Sequence, residues 1–187
     1  MILLTEATKD WVKDCDDWLF APAGVPWIVR GFRIKVGKGS NIGEGTHLGD
    51  WTSIGDWTSI GDGVIVEYLV DIGDGVRIAK GVTIKNMAEI GGGTDIGRGT
   101  DIGNGACIGR AANIGRGVSI GDRASVGASA AICDGTTVGH GAFIGEHSHI
   151  CEGVCVGGNA LIKGAHIGRG SVVRCGARVA EGTVIIK

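Results

Sequence analysis

The chain has 187 residues, with 18 Lys and Arg against 20 Asp and Glu, for a formal net charge of −2. That balance argues against a dedicated nucleic-acid binder and supplies no polybasic membrane signal, and no apolar run nears the roughly 18 residues of a membrane span. The apolar content of 43% is ample for one core, and 37 glycines beside only 2 prolines, with no Gly-X-Y period, mark glycine as positional rather than collagen-like.

In chain order, residues 1–4 are a short apolar lead. The acids Glu6 and Asp10 in the next segment are unlike a signal peptide, so a soluble cytoplasmic protein is expected. Thr8 is placed to cap a helix on which Trp11, Cys15, Trp18 and Leu19 share one face. Residues 1–30 are therefore expected to form an N-terminal cap with a short amphipathic helix, ended by Pro22 and Pro26, that covers the open first coil of a repeat domain over residues 31–187.

From Val36 an Ile, Val or Leu returns at every sixth residue, through Ile42, Leu48, Ile54 and Ile60 as far as Ile144, Ile150 and Val156, which makes 21 successive hexads. A period of six fits neither a helix nor simple strand alternation and is the signature of a solenoid. Each hexad reads aliphatic-Gly-x-x-small-x, as in Ile96-Gly-Arg-Gly-Thr-Asp101. The aliphatic residue points inward, and the small fifth position (Thr46, Val64, Ala106, Ala124, Ala142) marks a second inward site near a corner. Glycine after the aliphatic residue is expected to allow backbone angles that a Cβ would penalise. After Leu161 the register changes once, at the five-residue rung Ile162-Lys-Gly-Ala-His166, and Ile167, Val173, Val179 and Ile185 resume the sixes.

Three short strands close a triangular coil, with neighbouring strands about 4.8 Å apart, so residues one coil apart stack in columns. Lys80, Arg98 and Arg116 then form a basic column continued by Asp134 and Glu152, either a solvated ladder or a contact for phosphate or an acidic partner. Trp51 and Trp57 should point outward, and burial against a second subunit or a protein partner is the expected reason for them, ahead of a ligand platform. Of the six cysteines, Cys133 and Cys151 stack on adjacent coils, and no disulfide is expected between them.

The repeated Ile-Gly-Asp-Gly and Ile-Gly-Arg-Gly rungs resemble the hexapeptide-repeat family. That resemblance implies an all-β fold: a left-handed parallel β-helix, a three-sided solenoid of about eight coils, over residues 31–187. The stretch holding His140, Ile144-Gly145, His149 and Gly157-Gly158-Asn159 is similar to the active-site segment of the hexapeptide acetyltransferases that act on amino sugars and sialic acids. The resemblance implies acetyl-CoA as co-substrate and an O- or N-acetyl transfer to a small hydroxyl or amine acceptor such as a sugar. His140 would be the general base, since imidazole exchanges a proton near neutrality. His149, Gly157, Gly158 and Asn159 would hold the thioester and pantetheine arm, with His166 beside His149 one coil on.

His140 and His149 lie half a coil apart and so project from different sides of one rung. A shared site therefore needs adjacent subunits, and a homotrimer is expected, as in the family. The family usually places an acid after its catalytic histidine, whereas Gly141 stands here, and Asp122, one coil earlier in the same column, is the candidate substitute. The leading residues are too few for the nucleotide-sugar domain of the amino-sugar enzymes, and no loop interrupts the hexads. The zinc-dependent carbonic anhydrases of this fold place two histidines five residues apart, but Gly145 stands five after His140, so no metal is expected. The alternative function is a non-enzymatic, rigid trimeric binding or structural protein, such as a phage component or an inhibitor, which the exposed tryptophans and uninterrupted repeat would also suit.

Overall fold

A computed structural model describes residues 34–186 and, ahead of them, only the backbone of Ile2–Leu3, Val12–Lys13 and Leu19–Phe20. Every hexad forms a two-residue strand whose first residue faces out and whose second faces in, as in Asn41–Ile42, His47–Leu48 and Ser53–Ile54. Strands recur every third rung in one sheet, and the pairing Arg77↔Asp95 and Ile78↔Ile96 shows the 18-residue coil directly.

Three sheets result. The first face runs from Asn41–Ile42 through Ala131–Ile132, His149–Ile150 and His166–Ile167 to Val184–Ile185; the second from Lys35–Val36 through Phe143–Ile144 to Arg178–Val179; the third from His47–Leu48 through Thr137–Val138 to Val172–Val173. Within the repeat all pairings are parallel, and the faces carry eight or nine strands each, which gives about eight coils. The only antiparallel neighbour of these faces among the described residues is Ile2–Leu3, which lies along Asn41–Ile42 and covers the opening edge of the first face. Most of the helix expected around Trp11, Cys15 and Trp18 lies outside the described residues; within that span Val12–Lys13 pairs antiparallel with Leu19–Phe20.

The core is the stack of inward aliphatics. Ile54, Ile72, Ile84, Ile102, Ile120 and Ile144 are at most 2% exposed, and each such burial contributes about 1.5–3 kcal/mol. The small fifth positions are inward as expected, Thr46, Val64, Ala106, Ala124 and Ala142 being essentially fully buried. Where that residue is Thr, its hydroxyl donates to a carbonyl of the neighbouring coil, as from Thr100 Oγ1 to Gly115 O at 2.8 Å and from Thr136 Oγ1 to Cys151 O at 3.0 Å. A buried hydroxyl is thereby satisfied without interrupting the ladder.

The role assigned to the glycine after the aliphatic residue is corrected by the structure. Positive φ falls two residues later, at the third position after the aliphatic, in glycines such as Gly99 (φ 67°) and in Trp51, Trp57, Leu69, Met87, Ala111, Arg123, Ser129, His147 and Asn159, whose φ lies between 54° and 60°. The first glycine is needed for approach between coils. A Cβ on Gly139 would lie 2.4 Å from Gly158 N, and one on Gly121 2.6 Å from His140 N. The five-residue rung is absorbed in a corner: Gly164 takes φ 46°, and His149↔His166 and Ile150↔Ile167 pair without a shift.

Candidate functional site

His140 stands on the corner between the third and second faces, one residue beyond the glycine that follows Val138. Its neighbours in the column are Asp122 one coil before and Gly158 one coil after, tied by Gly141 N donating to Asp122 O at 2.9 Å and Asn159 N donating to His140 O at 2.8 Å. The imidazole is exposed. The corner is kept slim by glycines, because a Cβ on Gly158 would sit 3.2 Å from His140 O. Of the sequence motif, His140 and Gly157-Gly158-Asn159 therefore meet at one place, while His149 does not.

Asp122 shares the column of His140 but turns the other way. Its Oδ1 accepts from Asn104 N at 2.8 Å and from Asn104 Nδ2 at 3.1 Å, both on the preceding coil, and no hydrogen bond joins Asp122 to His140 among the described residues. The backbone and side-chain donors of Asn104 hold this carboxyl below the usual carboxylate range, with Lys85 and His140 adding smaller attractions. Asp56, Asp74 and Asp134 accept from Lys38 N, Asp56 N and Arg116 N in the same manner, so the posture of Asp122 is that of the fold's repeated corner clasp. The space a Cβ would take on Gly141 is filled instead by Asn159 Oδ1, 2.5 Å away. An amide of the following coil thus occupies the place beside the histidine where the family usually carries an acid.

His149 is on the first face, away from the His140 corner, as the half-coil spacing requires. It stacks on His166 with ring centroids 4.9 Å apart and planes 8° from parallel. Two cysteines adjoin the rings: Cys133 Sγ is 3.8 Å from His149 Nε2, and Cys151 Sγ is 3.5 Å from His166 Nε2. Both are free thiols, and partial burial, followed by the nearby Cys151, Asp134 and Glu152, pushes the Cys133 thiol up. A shallow groove of about 470 Å³ runs beside the rings, lined by Asn113, Cys133, Asp134, His149 and Glu152 among others. The cysteines had no assigned role in the sequence. The signal that could have found them is the strand period: His149 and Cys151 are two apart and so face the same side.

Trp51 and Trp57 point outward as expected, 41% and 68% exposed. Trp51 shares the His140 corner with the exposed Tyr68, Leu69 and Met87, forming an apolar ridge toward the opening coils; the Trp57 ring lies over Gly39 on another corner. Lys80, Arg98, Arg116 and Asp134 form the column read from the sequence, linked by Gly117 N to Arg98 O and Gly135 N to Arg116 O, each 2.9 Å. No described helix is long and apolar enough to cross a membrane.

No family model matches the chain, and no curated protein matches it. Among solved structures it is similar to the acetyltransferase domain of PglB from Neisseria gonorrhoeae in complex with acetyl coenzyme A, at 28% identity over 62% of this chain and 56% of that one, with a TM-score of 0.49. The present chain thus spans little more than half of that domain's length. It is also similar to perosamine N-acetyltransferase from Caulobacter crescentus in complex with CoA and GDP-perosamine (24% identity, 70% and 53% covered, TM-score 0.35) and to LpxA from Acinetobacter baumannii (16%, 76% and 66%, 0.40). With a six-residue period, one strand per hexad and three parallel sheets closing about eight coils, the chain folds as a three-sided parallel β-solenoid.

Proposed function

We propose that the protein is an acyl-CoA-dependent O- or N-acetyltransferase acting on a small hydroxyl or amine acceptor, with a sugar as the preferred class, and that His140 is its general base at a subunit interface. The observation that carries this reading is the coincidence at one exposed corner of His140 with Gly157, Gly158 and Asn159, bound through Asn159 N to His140 O at 2.8 Å. Histidine followed one coil later by a side-chain-free Gly-Gly step supplies an exposed base beside open backbone, which suits a narrow acyl-pantetheine arm. His140 takes the proton of the acceptor hydroxyl or amine as that atom attacks the thioester carbonyl, and returns it to the departing sulfur. In this reading Asn159, beside Gly141, takes the place of an acidic neighbour, and Asp122, held by Asn104, serves as a clasp of the fold. His149 and His166 lie on another face, so in this reading they serve the His140 of an adjacent subunit in a closed homotrimer.

Isothermal titration calorimetry with acetyl-CoA, paired with solution mass, tests the reading. Binding that is lost in His149→Ala and kept in His140→Ala, by a species of three-chain mass, is the expected result. No binding at millimolar acetyl-CoA, or a monomer, would overturn it. A second reading, a non-catalytic binding or structural trimer, is favoured by the ridge of Trp51, Tyr68, Leu69 and Met87, which is larger than isolated surface apolar residues. It gains ground only if acetyl-CoA does not bind.

A further inference from the structure

The first face carries two outward columns of soft ligands side by side. One holds His149 and His166, paired residue on residue in adjacent strands; the other holds Cys133 and Cys151. One nitrogen or sulfur from each of His149, Cys151 and His166 lies within 4.8 Å of the other two. In a tetrahedral zinc site with Zn–S near 2.3 Å and Zn–N near 2.0–2.1 Å, a sulfur and a nitrogen stand about 3.5 Å apart. Cys151 Sγ and His166 Nε2 are 3.5 Å apart, and Cys133 Sγ and His149 Nε2 are 3.8 Å apart. Two pairs are thus already near ligand–ligand spacing, and side-chain rotation of these exposed groups must close the remaining separations, up to 4.8 Å within the His149, Cys151 and His166 cluster.

A bare stacking ladder would explain the paired histidines but not the cysteines. Cys133 and Cys151 occupy the position after the inward aliphatic, where most rungs carry glycine because the neighbouring coil comes so close; the same position is Gly115 one coil before and Gly168 one coil after. Two successive coils depart from that rule, both on the face that bears the histidines, and both with a thiol. We propose that His149, Cys151 and His166 bind a zinc ion within a single subunit, with Cys133, packed against the His149 ring, as the fourth ligand. Two sulfurs and two imidazole nitrogens are the donor set and geometry that favour zinc over hard cations such as magnesium or calcium. On binding, each cysteine releases its thiol proton to solvent and coordinates as thiolate, so uptake is accompanied by acidification.

The site uses no residue of the His140 corner and needs no second subunit, but it shares His149 and His166 with the proposed acyl-CoA contact, so zinc is measured by itself. The test uses the full chain, reduced and stripped by a chelator, with no acyl-CoA present. Zinc is titrated against a chromophoric chelator, and cobalt(II) is added separately to read coordination from its visible and thiolate charge-transfer bands. One zinc per chain and a tetrahedral, thiolate-bearing cobalt spectrum are expected. Cys151→Ser and His166→Ala should each weaken zinc by at least about 100-fold, beyond the loss typical of an outer-shell partner. Cys133→Ser should weaken it less, and His140→Ala, His147→Ala and Cys155→Ser not at all, all with unchanged circular dichroism. The proposal is overturned if wild type binds zinc no more tightly than Cys151→Ser, if cobalt is octahedral without a thiolate band, or if Cys155→Ser removes the site. Zinc uptake is read without acyl-CoA and acetyl-CoA binding on zinc-free protein, so the failure of either leaves the other measurable; Cys151→Ser, outside the acyl-CoA contact, separates the two.

Discussion

His140 and His149 are nine residues apart and chemically identical, yet the fold puts them in opposite circumstances. On a corner the chain turns, glycines surround the side chain, and the column above and below His140 offers an aspartate turned away and no side chain at all. On a face, parallel strands in register repeat each outward position at strand spacing, so His149 meets His166 ring to ring and two thiols beside them. At the level of His140 the corner presents a single group next to open backbone, whereas the face at His149 assembles a cluster. The first arrangement suits a base that must reach a substrate, the second a site that must surround an ion.

Substitutions can break this contrast, beginning with the largest effect. Replacing His140 with Ala should lower turnover by about 10²–10⁴-fold, the usual worth of a general base, while acetyl-CoA affinity holds; steady-state rates paired with calorimetry would show it. Behind the face, Ile150→Ala should cost about 2–5 kcal/mol in denaturant unfolding, because a side chain that is fully buried beneath the His149 column leaves a cavity. At the corner the sensitivity is reversed, since adding atoms does the harm. Gly139→Ala should cost about 1–3 kcal/mol in the same assay, its Cβ meeting the backbone of Gly158, and the unfolding slope should stay constant. The smallest effect sharpens the reading of Asp122. Its folded pKa is lowered chiefly by the donors of Asn104, so the stabilisation is present above the unfolded carboxylate value and fades as pH falls through the lower folded one. An NMR titration of the Asp122 carboxyl should show the pKa rising toward the ordinary value in Asn104→Ala; an unmoved pKa would mean that His140 or Lys85 sets it instead.

The architecture was legible because one physical demand, an aliphatic residue facing the axis of each rung, repeats without a slip from Val36 to Val156. The columns come from the same period, which is why the placement of Asp122 against His140 and of His166 against His149 is readable from spacing. Two things are not. Gly139 and Gly99 look alike in sequence, but one relieves a clash between coils and the other adopts positive φ, and only the stacked backbone separates those needs. Likewise Asp122 is in the right column but its side-chain direction is set by competition for the Asn104 amide, a contest between coils that spacing does not describe. The thiol pair escapes for a different reason: the six-residue period hides the two-residue one inside each strand.

The shortened rung from Ile162 to His166 shows where this solenoid accepts changes in chain length. One residue is missing, Gly164 bends to close the gap, and the strands on either side keep their partners. Length is therefore a local property of a corner, whereas register is a property of the faces. A protein built this way can gain or lose residues at its vertices while its flat walls stay fixed, which makes the corner at Gly164 the natural place to graft a reporter loop or peptide tag.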